Sequence, residues 1–317
     1  MHDTAAFRWR HTGLAVALAF FCTAPNDALA SAGAPSIVAP ASQDLRRWHD
    51  ATLQQGLEAT VQALALQEPV RSGRLALALV DVTAWASPRL AMLNGDRMMY
   101  AASLPKIAIL LGALAEAEAG RLPLGDTQRA AMANMIRHSD NADASRVLSW
   151  VGGERLLDLL QSPRFALYDP GGAGGLWVGK DYGPTAAYRR DPVAQLSHGA
   201  TVYQVARLYS RLAQGSLLSP PMNTLMLEVL SRPAIRHKFV LGLASRPGAV
   251  VWRKSGTWRD AHADSALVES AGRRFVMVGI ADSPAGGEWL RALAEPLHDL
   301  IVRSPPPAAA AAMAWRP

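Results

Sequence analysis

The sequence predicts an α+β fold, in which an antiparallel β-sheet is flanked by N- and C-terminal helices and a helical lobe is inserted between the strands. The first observation is that strand-like apolar segments lie towards the two ends of the 317-residue chain, whereas its middle is patterned for helices. The second is that half of the residues are hydrophobic, which is enough for a large core.

The N-terminal third supplies the first helix and the first strands. Leu45–Leu66 has apolar residues at roughly helical spacing and predicts an amphipathic helix. Arg74–Val82 is a strand-like apolar run, and Arg89–Met99 contains the turn Asn94-Gly95-Asp96. Such a turn between apolar segments is typical of hairpins, so we expect two or three adjacent antiparallel strands here.

A central helix is predicted in the segment Tyr100–Leu111, and its start carries Ser103 and Lys106, three positions apart before a run that is apolar nearly all round. In a buried helix both side chains lie on one face of the first turn. A serine there gains from the helix dipole and from free backbone N–H groups, which can hold an oxyanion. Burial lowers the pKa of a lysine towards that of a usable base.

Lysine usage supports a chemical role for Lys106. The chain has 32 lysine and arginine residues, of which the lysines are Lys106, Lys180, Lys238 and Lys254. A guanidinium does not give up its proton in a protein, so a step that needs a neutral amine must keep a lysine. We therefore interpret Lys106 as a functional residue rather than a surface charge.

The middle of the chain predicts helices that are interrupted by one long irregular stretch. Phe165–Leu196 is rich in glycine and proline, and a loop of that length in a compact domain is usually functional or mobile. The loop His138-Ser139-Asp140-Asn141 also lies in this part. The predicted helices are Thr127–Arg137, Ala142–Trp150, Glu154–Gln161, Thr201–Gln214 and Met222–Leu230.

The C-terminal third returns to strands and closes with a helix. The first of its strands brings Lys254-Ser255-Gly256-Thr257 to its end, and the next two are predicted to form a hairpin. The predicted elements are the strands Ala249–Lys254, Ser265–Glu269 and Arg273–Ala281, the helix Glu288–Arg303 with a kink at Pro296, and a disordered tail over 304–317.

The N-terminus has the features of a secretion signal. Arg8 and Arg10 precede an apolar run, and Ala28-Leu29-Ala30 is a small-x-small cleavage signature. We expect a signal peptide over residues 1–30, a linker over 31–41, and an exported protein that is periplasmic or secreted after cleavage near Ala30. The apolar run is too short to span a bilayer, so no stable membrane insertion is expected.

Composition narrows the class of partner. The single cysteine, Cys22, lies in the signal and follows Phe21, which argues against a lipid anchor and leaves no disulfide in the mature chain. The eight histidines are dispersed, so we expect neither a metal site nor a cofactor. A net charge of +6 without a basic run suits small anionic molecules and argues against nucleic acid. We expect a monomer.

Three short motifs stand in order along the chain, namely Ser103-x-x-Lys106, Ser139-Asp140-Asn141 and Lys254-Ser255-Gly256. The set resembles the motifs of class A β-lactamases, within the wider serine penicillin-recognising enzyme family. The resemblance covers residues 42–303 and implies a β-lactamase or transpeptidase-like catalytic domain. Its α/β part would comprise 42–100 and 240–303, and its helical lobe 101–239.

The resemblance implies a role for most residues of these motifs. Ser103 would be the acylated nucleophile, Lys106 the amine that helps to deprotonate it, and Ser139 the group that passes a proton to the leaving lactam nitrogen. The implied substrate-binding residues are Asn141 for the side-chain amide, Lys254 and Ser255 for the carboxylate, and Thr257, whose backbone N–H would form an oxyanion hole with that of Ser103.

The sequence departs from the family pattern at the step that hydrolyses the acyl-enzyme. Class A enzymes use a loop glutamate between the second and third motifs, but no glutamate occurs between Glu154 and Glu228. The candidate deacylation bases are therefore Lys106 itself and the loop aspartates Asp169, Asp181 and Asp191. Loss of the glutamate slows hydrolysis of the acyl-enzyme more than its formation, because a water is activated only in the second step.

These observations leave four functions open. The first is a hydrolase that opens β-lactam amides through a Ser103 acyl-enzyme, with a β-lactam or peptidoglycan-like small molecule as its partner. The second is a penicillin-binding acyl-enzyme trap or sensor, and the third is a DD-peptidase or esterase with slow deacylation. The fourth is a non-catalytic envelope protein, in which Ser139-Asp140-Asn141 only caps a helix and Lys254-Ser255-Gly256 is only a polar strand end.

Overall fold

The structure is a computed structural model that describes residues 44–305. The expected signal peptide (1–30) and linker (31–41) lie outside the described residues, as does the expected tail from residue 306 onwards.

The described chain begins with a short 3-10 helix at Leu45–Trp48 and then alternates blocks of helices and strands. The helices are α1 (Ala51–Ala63), α2 (Gln67–Arg71), α3 (Lys106–Glu118), α4 (Asp126–Arg137), α5 (Asn141–Val151), α6 (Gly153–Gln161), α7 (Val202–Ala213), α8 (Pro220–Leu230), α9 (Phe239–Gly242) and α10 (Gly286–Arg303). The strands are β1 (Leu75–Asp81), β2 (Arg89–Leu93), β3 (Met99–Tyr100), β4 (Tyr168–Asp169), β5 (Gly174–Gly175), β6 (Trp177–Val178), β7 (His198–Ala200), β8 (Val250–Trp258), β9 (Ala261–Ser270) and β10 (Arg273–Asp282).

The main sheet joins the two ends of the described chain. Its five strands are antiparallel in the order β2-β1-β10-β9-β8, with Leu75 of β1 opposite Ala281 of β10. The α+β prediction is thereby confirmed, because the helical lobe enters between β2 and β8 along the chain.

Both faces of β1 are covered, and its alternating side chains enter two different cores. Leu75, Leu77 and Leu79 pack in the cluster that contains the apolar faces of α1 and α10. Ala76, Ala78 and Val80 pack in the larger cluster that contains α3 and the rest of the helical lobe. A strand that is buried on both faces has a continuous run of apolar residues rather than an alternating pattern, which explains the sequence of β1.

Helix α3 lies at the centre of the larger core, where every residue from Lys106 to Glu116 is buried. A helix that is surrounded by core on all sides needs apolar residues on every face, and α3 has them. Within residues 44–305, no helix is both long and apolar enough to cross a membrane.

Three details differ from the sequence prediction. Only residues 89–93 of the expected hairpin pair with β1, whereas Met99–Tyr100 pairs with β7 in a separate three-stranded sheet. Helix α3 begins at Lys106, so Ser103 lies in the turn before it. Strand β8 continues to Trp258, which places the third motif inside the strand. For the two strands, pairing with another strand rather than local periodicity sets the boundary.

Candidate active site

Ser103 lies at the entrance of α3, in a turn formed by residues 102–105. The preceding Ala102 has φ +51°, a left-handed conformation that non-glycine residues rarely adopt and that clusters at functional sites. Ser103 itself is partly exposed, and its hydroxyl makes no hydrogen bond to another residue of the described chain. The hydroxyl is therefore accessible to a ligand.

Lys106 is fully buried one turn further on, and its amino group points at the loop before α5. Its Nζ donates to the carbonyl oxygens of Ser139 (2.6 Å) and Asp140 (3.2 Å) and to Oδ1 of Asn141 (2.7 Å). Burial lowers the pKa of Lys106 to about 7, although the nearby charge of Asp140 opposes the shift. At neutral pH a large fraction of this lysine is a neutral amine, as a general base requires.

Ser139 stands between the two lysines of the motifs. Its Oγ accepts a hydrogen bond from Lys254 Nζ at 2.9 Å and lies 3.5 Å from Lys106 Nζ. Its backbone has φ +58°, a left-handed conformation, so Ser139 is not part of the helix that follows. The N-cap of α5 is Asp140, whose side chain accepts from the N–H of Asp143. Capping therefore uses Asp140 and leaves the side chains of Ser139 and Asn141 facing lysines.

Strand β8 brings the third motif to the same place. Lys254 is buried and its Nζ also donates to the carbonyl oxygen of Ser255 at 2.6 Å. Burial, together with the positive charge of Lys106, holds the pKa of Lys254 well below its ordinary value. A Cβ atom on Gly256 would lie 2.7 Å from the backbone nitrogen of Ser103, so the strand touches the turn that carries the serine. The three motifs thus converge in the fold.

The third motif becomes exposed only at Thr257, because Ser255 is still buried. Ser255 Oγ is hydrogen-bonded to His237 Nε2 at 3.1 Å, and Thr257 is exposed at the strand edge. Burial and the neighbouring cations lower the pKa of His237 to about 4, so its ring is neutral at physiological pH. Asn141 is exposed at the start of α5, which keeps part of its amide accessible.

Lys238 is a residue at the site that the motifs did not point to. Its Nζ donates to the carbonyl oxygen of Gly256 at 2.5 Å and to Oγ1 of Thr257 at 2.8 Å. Burial lowers its pKa to about 8. Three of the four lysines of the chain thus gather here. The scarcity of lysine was the signal that could have revealed Lys238 from the sequence.

Tyr182 is the second such residue, and it comes from the irregular loop. Its ring centroid lies 4.5 Å from Lys106 Nζ, and its hydroxyl donates to the carbonyl oxygen of Ala102 at 3.3 Å. On the other side the ring stacks on that of His198, with centroids 4.2 Å apart. An aromatic face therefore covers Lys106 beside Ser103. Sequence periodicity carries no signal for such a contact.

The three loop aspartates occupy different environments. Asp191 is fully buried, and its carboxylate accepts from Tyr168 and from the backbone N–H groups of residues 193, 194 and 196, so it anchors its own loop. Asp169 is exposed and accepts from the N–H of Gly171. Asp181 is partly exposed and directly precedes Tyr182. Of the three, Asp181 is the one next in the chain to a residue that contacts Lys106.

Among residues 44–305, no group of three or more histidine, cysteine, aspartate or glutamate side chains is arranged to hold a metal ion.

The fold and the three converging motifs define a class of proteins built on the β-lactamase architecture. The profile of the beta-lactamase enzyme family matches residues 127–301, which is more than half of the chain. The protein belongs to the beta-lactamase enzyme family. A comparison with curated protein sequences finds no match.

Solved structures share the fold at low sequence identity. PBP-A is 18% identical with a TM-score of 0.61, over 81% of this chain and 98% of that chain. A β-lactamase from Sphaerobacter thermophilus is 17% identical with a TM-score of 0.63, over 80% of this chain and 99% of that one. A mutant of PBP-A, seen as an acyl-enzyme complex with penicillin G, is 19% identical with a TM-score of 0.59, over 81% and 98%.

Proposed function

We propose that the protein is a serine hydrolase of the class A type that opens β-lactam amides through an acyl-enzyme at Ser103. The observation that carries the proposal is the position of Ser139, whose hydroxyl lies between the buried amino groups of Lys106 and Lys254. A hydroxyl so placed is able to relay a proton, and a structural cap would not need two buried lysines.

Acylation requires a base for the Ser103 hydroxyl and a donor for the leaving nitrogen. Lys106, with a pKa of about 7, takes the serine proton as the Oγ–carbonyl bond forms. The negative charge that develops on the carbonyl oxygen is held by the backbone N–H groups of Ser103 and Thr257, at about 3–4 kcal/mol for each donor. When the lactam C–N bond breaks, Ser139 delivers a proton to the nitrogen and is reprotonated from the lysines.

Positive charge around the third motif favours an anionic substrate. Lys254 is buried beneath Ser255, and Lys238 contacts Thr257. The carboxylate of a β-lactam would be met by the hydroxyls of Ser255 and Thr257 in the field of these lysines. A neutral substrate would lack the electrostatic part of this stabilisation.

The direct test is hydrolysis of a chromogenic cephalosporin by the purified protein, with Ser103→Ala as the control. We expect turnover by the native protein and none by the variant. Equal rates for the two proteins would refute the proposal.

A second candidate function is a penicillin-binding acyl-enzyme trap, and the environment of Lys106 favours it. The partners of its Nζ are two carbonyl oxygens, a hydroxyl, an amide oxygen and the ring of Tyr182, with no carboxylate among them in residues 44–305. Without a base, water attacks the ester slowly. Intact-mass measurements after a penicillin pulse separate the two functions, since a trap keeps its adduct for hours and a hydrolase loses it within the dead time.

The same chemistry would serve a DD-peptidase or an esterase. Acyl-D-Ala-D-Ala peptides and short esters identify these activities if they are cleaved faster than the cephalosporin.

We also propose export with cleavage after Ala30. N-terminal sequencing of the mature protein from the periplasm or the medium should begin at Ser31, and a mature chain that retains Met1 would contradict export.

A further inference from the structure

A serine outside the Ser103 site contacts a histidine whose other ring nitrogen meets a carboxylate. Ser270 is the last residue of β9, and its Oγ lies 3.0 Å from Nε2 of His298 in α10. Nδ1 of His298 lies 2.9 Å from Oδ1 of Asp299. Ser270 and His298 are 8% and 4% exposed. Hydroxyl, imidazole and carboxylate thus form one chain, in the order found in Ser-His-Asp hydrolases.

The partners of this imidazole determine where its hydrogen lies. Burial raises the pKa of Asp299, but the hydrogen bonds from His298 and Arg246 and the nearby positive charges lower it overall. An ionised carboxylate accepts and does not donate, so in the neutral ring Nδ1 carries the hydrogen and Nε2 is the acceptor. The hydroxyl of Ser270 then donates to Nε2, as activation of a serine nucleophile requires.

Two arginines hold the carboxylate of Asp299 in place. Arg246 donates to both of its oxygens at 2.9 Å, and Arg303, one turn further along α10, donates to Oδ2 at 2.8 Å. A carboxylate fixed in this way keeps the imidazole in one tautomer and one orientation, which is the role of the acidic residue in such a chain.

Two other serines contact histidines in the described part of the chain, and they lack the carboxylate. Ser255 Oγ is 3.1 Å from His237 Nε2, and no carboxylate bonds to the other ring nitrogen of that histidine. Ser197 Oγ lies 3.3 Å from His198 Nδ1, and the other nitrogen of this ring meets a backbone carbonyl oxygen. The contact at the end of β9 therefore differs from both in the group that would activate a serine.

The turn after Ser270 supplies N–H groups that an oxyanion could use. Ala271 and Gly272 are exposed, with φ +50° and +71°. A left-handed conformation at both central residues is typical of a tight hairpin, but an alanine adopts it only with strain. Within residues 44–305, neither of the two N–H groups has a hydrogen-bond partner. In α/β-hydrolases, the N–H group of the residue after the nucleophile is an oxyanion donor.

We infer that Ser270 is a second nucleophile, activated by His298 and Asp299, which cleaves small carboxylic esters independently of Ser103. Its Oγ forms a bond to the ester carbonyl carbon while its proton passes to Nε2 of His298. The C–O bond to the alcohol then breaks, and the alcohol leaves with that proton. In the second step a water gives a proton to the same nitrogen and attacks the acyl-serine. The acid is released as the proton returns to the Ser270 oxygen.

The surroundings of the serine favour esters over amides. The N–H donors of an exposed turn act in water, where they stabilise an oxyanion less than donors in a closed hole. An ester tolerates this better, because an alcohol leaves more readily than an amine. A groove of about 710 Å³ along α10 adjoins the chain, since Asp299 and Ser304 line it and Ser304 accepts from Arg273 at the end of the turn. The groove has room for a small ester.

The experiment uses Ser103→Ala, which removes the first nucleophile, and a fluorophosphonate probe, which reacts with activated serines. Intact mass counts the adducts, and peptide mapping locates them. We expect one adduct, at Ser270, in the folded protein and none in protein unfolded by urea. No adduct, or an adduct at another serine, would overturn the inference. A chain that serves only to tie α10 to the sheet would give that negative result.

Variants in the Ser103→Ala background separate the roles. Ser270→Ala should abolish labelling, and His298→Gln should slow it at least about 100-fold. The matched control is Ser197→Ala, which removes a serine whose histidine lacks a carboxylate and should label as its parent does. Equal labelling in Ser270→Ala and Ser197→Ala would contradict the inference. Because the adduct is located in the parent protein, the test holds even if a variant fails to fold.

Turnover is measured with p-nitrophenyl acetate. Release of p-nitrophenol by Ser103→Ala should fall at least about tenfold when Ser270→Ala is added. An unchanged rate would overturn the esterase activity. Neither measurement depends on whether a β-lactam acylates Ser103, so the proposed function and this inference can fail separately.

Discussion

Gly256 in β8 packs against the backbone of Ser103 so closely that no side chain fits between them. A Cβ atom at position 256 would lie 2.7 Å from the nitrogen of Ser103 and 2.2 Å from the carbonyl oxygen of Ala101. Both neighbours are backbone atoms of the turn before α3, which cannot rotate away as a flexible side chain would. The strand edge and the serine are therefore positioned by one contact.

Gly256→Ala tests this contact. We expect it to abolish detectable acylation and to lower the free energy of unfolding by about 1–3 kcal/mol, because the strand must move away from the serine. Urea denaturation and penicillin labelling measure the two effects. Gly248→Ala is the matched control, since no atom lies within 4 Å of a Cβ there. Normal labelling of Gly256→Ala would show that the site does not depend on this close approach.

The pKa of Lys106 predicts how acylation depends on pH. Burial lowers this pKa to about 7, and the neutral amine is the form that accepts the serine proton. The acylation rate should therefore rise as the pH is raised through about 7 and level off above it. A stopped-flow profile from pH 5.5 to 8.5 measures this. A rate that falls with rising pH in that range would exclude a neutral Lys106 as the base.

Tyr182→Glu should shorten the life of the acyl-enzyme. The Tyr182 ring covers Lys106 beside the serine turn, and a carboxylate at that position would be able to activate a water. If the native protein holds its adduct as a trap does, we expect the penicillin adduct of Tyr182→Glu to decay at least about tenfold faster than that of the native protein, by intact mass. Tyr182→Phe keeps the ring and serves as control. Equal adduct lifetimes in Tyr182→Glu and Tyr182→Phe would show that a carboxylate at position 182 does not activate the water.

Asp181→Asn tests whether a loop aspartate drives deacylation in the native protein. If Asp181 is the base, the substitution lengthens the adduct lifetime by about 100-fold while acylation keeps its rate. Asp169→Asn, at an exposed position of the same loop, should leave the lifetime unchanged. If the penicillin adduct of Asp181→Asn lives as long as that of the native protein, Asp181 is not the deacylation base.

Asp191→Asn should destabilise the loop rather than alter the chemistry directly. Both carboxylate oxygens of Asp191 accept backbone hydrogen bonds, and an amide offers only one acceptor oxygen. The unsatisfied N–H should cost about 1–3 kcal/mol in the free energy of unfolding, measured by urea denaturation. A loss below about 0.5 kcal/mol, the size typical of surface changes, would contradict this role.

The convergence of the motifs was predictable because each motif is a local signal. Ser103 before an apolar run, Ser139 before α5 and Lys254 in a strand could each be placed from neighbouring residues. The order of the segments then gave the sheet that brings them together. The position of Met99–Tyr100 was not predictable in this way, because its partner β7 lies about a hundred residues further along the chain.

The contacts of Tyr182 and Lys238 illustrate the same limit inside the site. Both residues come from irregular segments, where no periodicity indicates which way a side chain points. Tyr182 reaches Lys106 only because the loop folds back over α3, and Lys238 reaches Thr257 only because Arg253 and Asp264 hold a strained turn.

By itself, the sequence determined the fold class and three motifs that the fold brings together, because apolar periodicity and short motifs are set by neighbouring positions in the chain. The tertiary structure alone decided which side chains complete the site, with Tyr182 over Lys106 and Lys238 behind Thr257. The physical reason is that burial and hydrogen bonding between distant segments depend on how the whole chain packs.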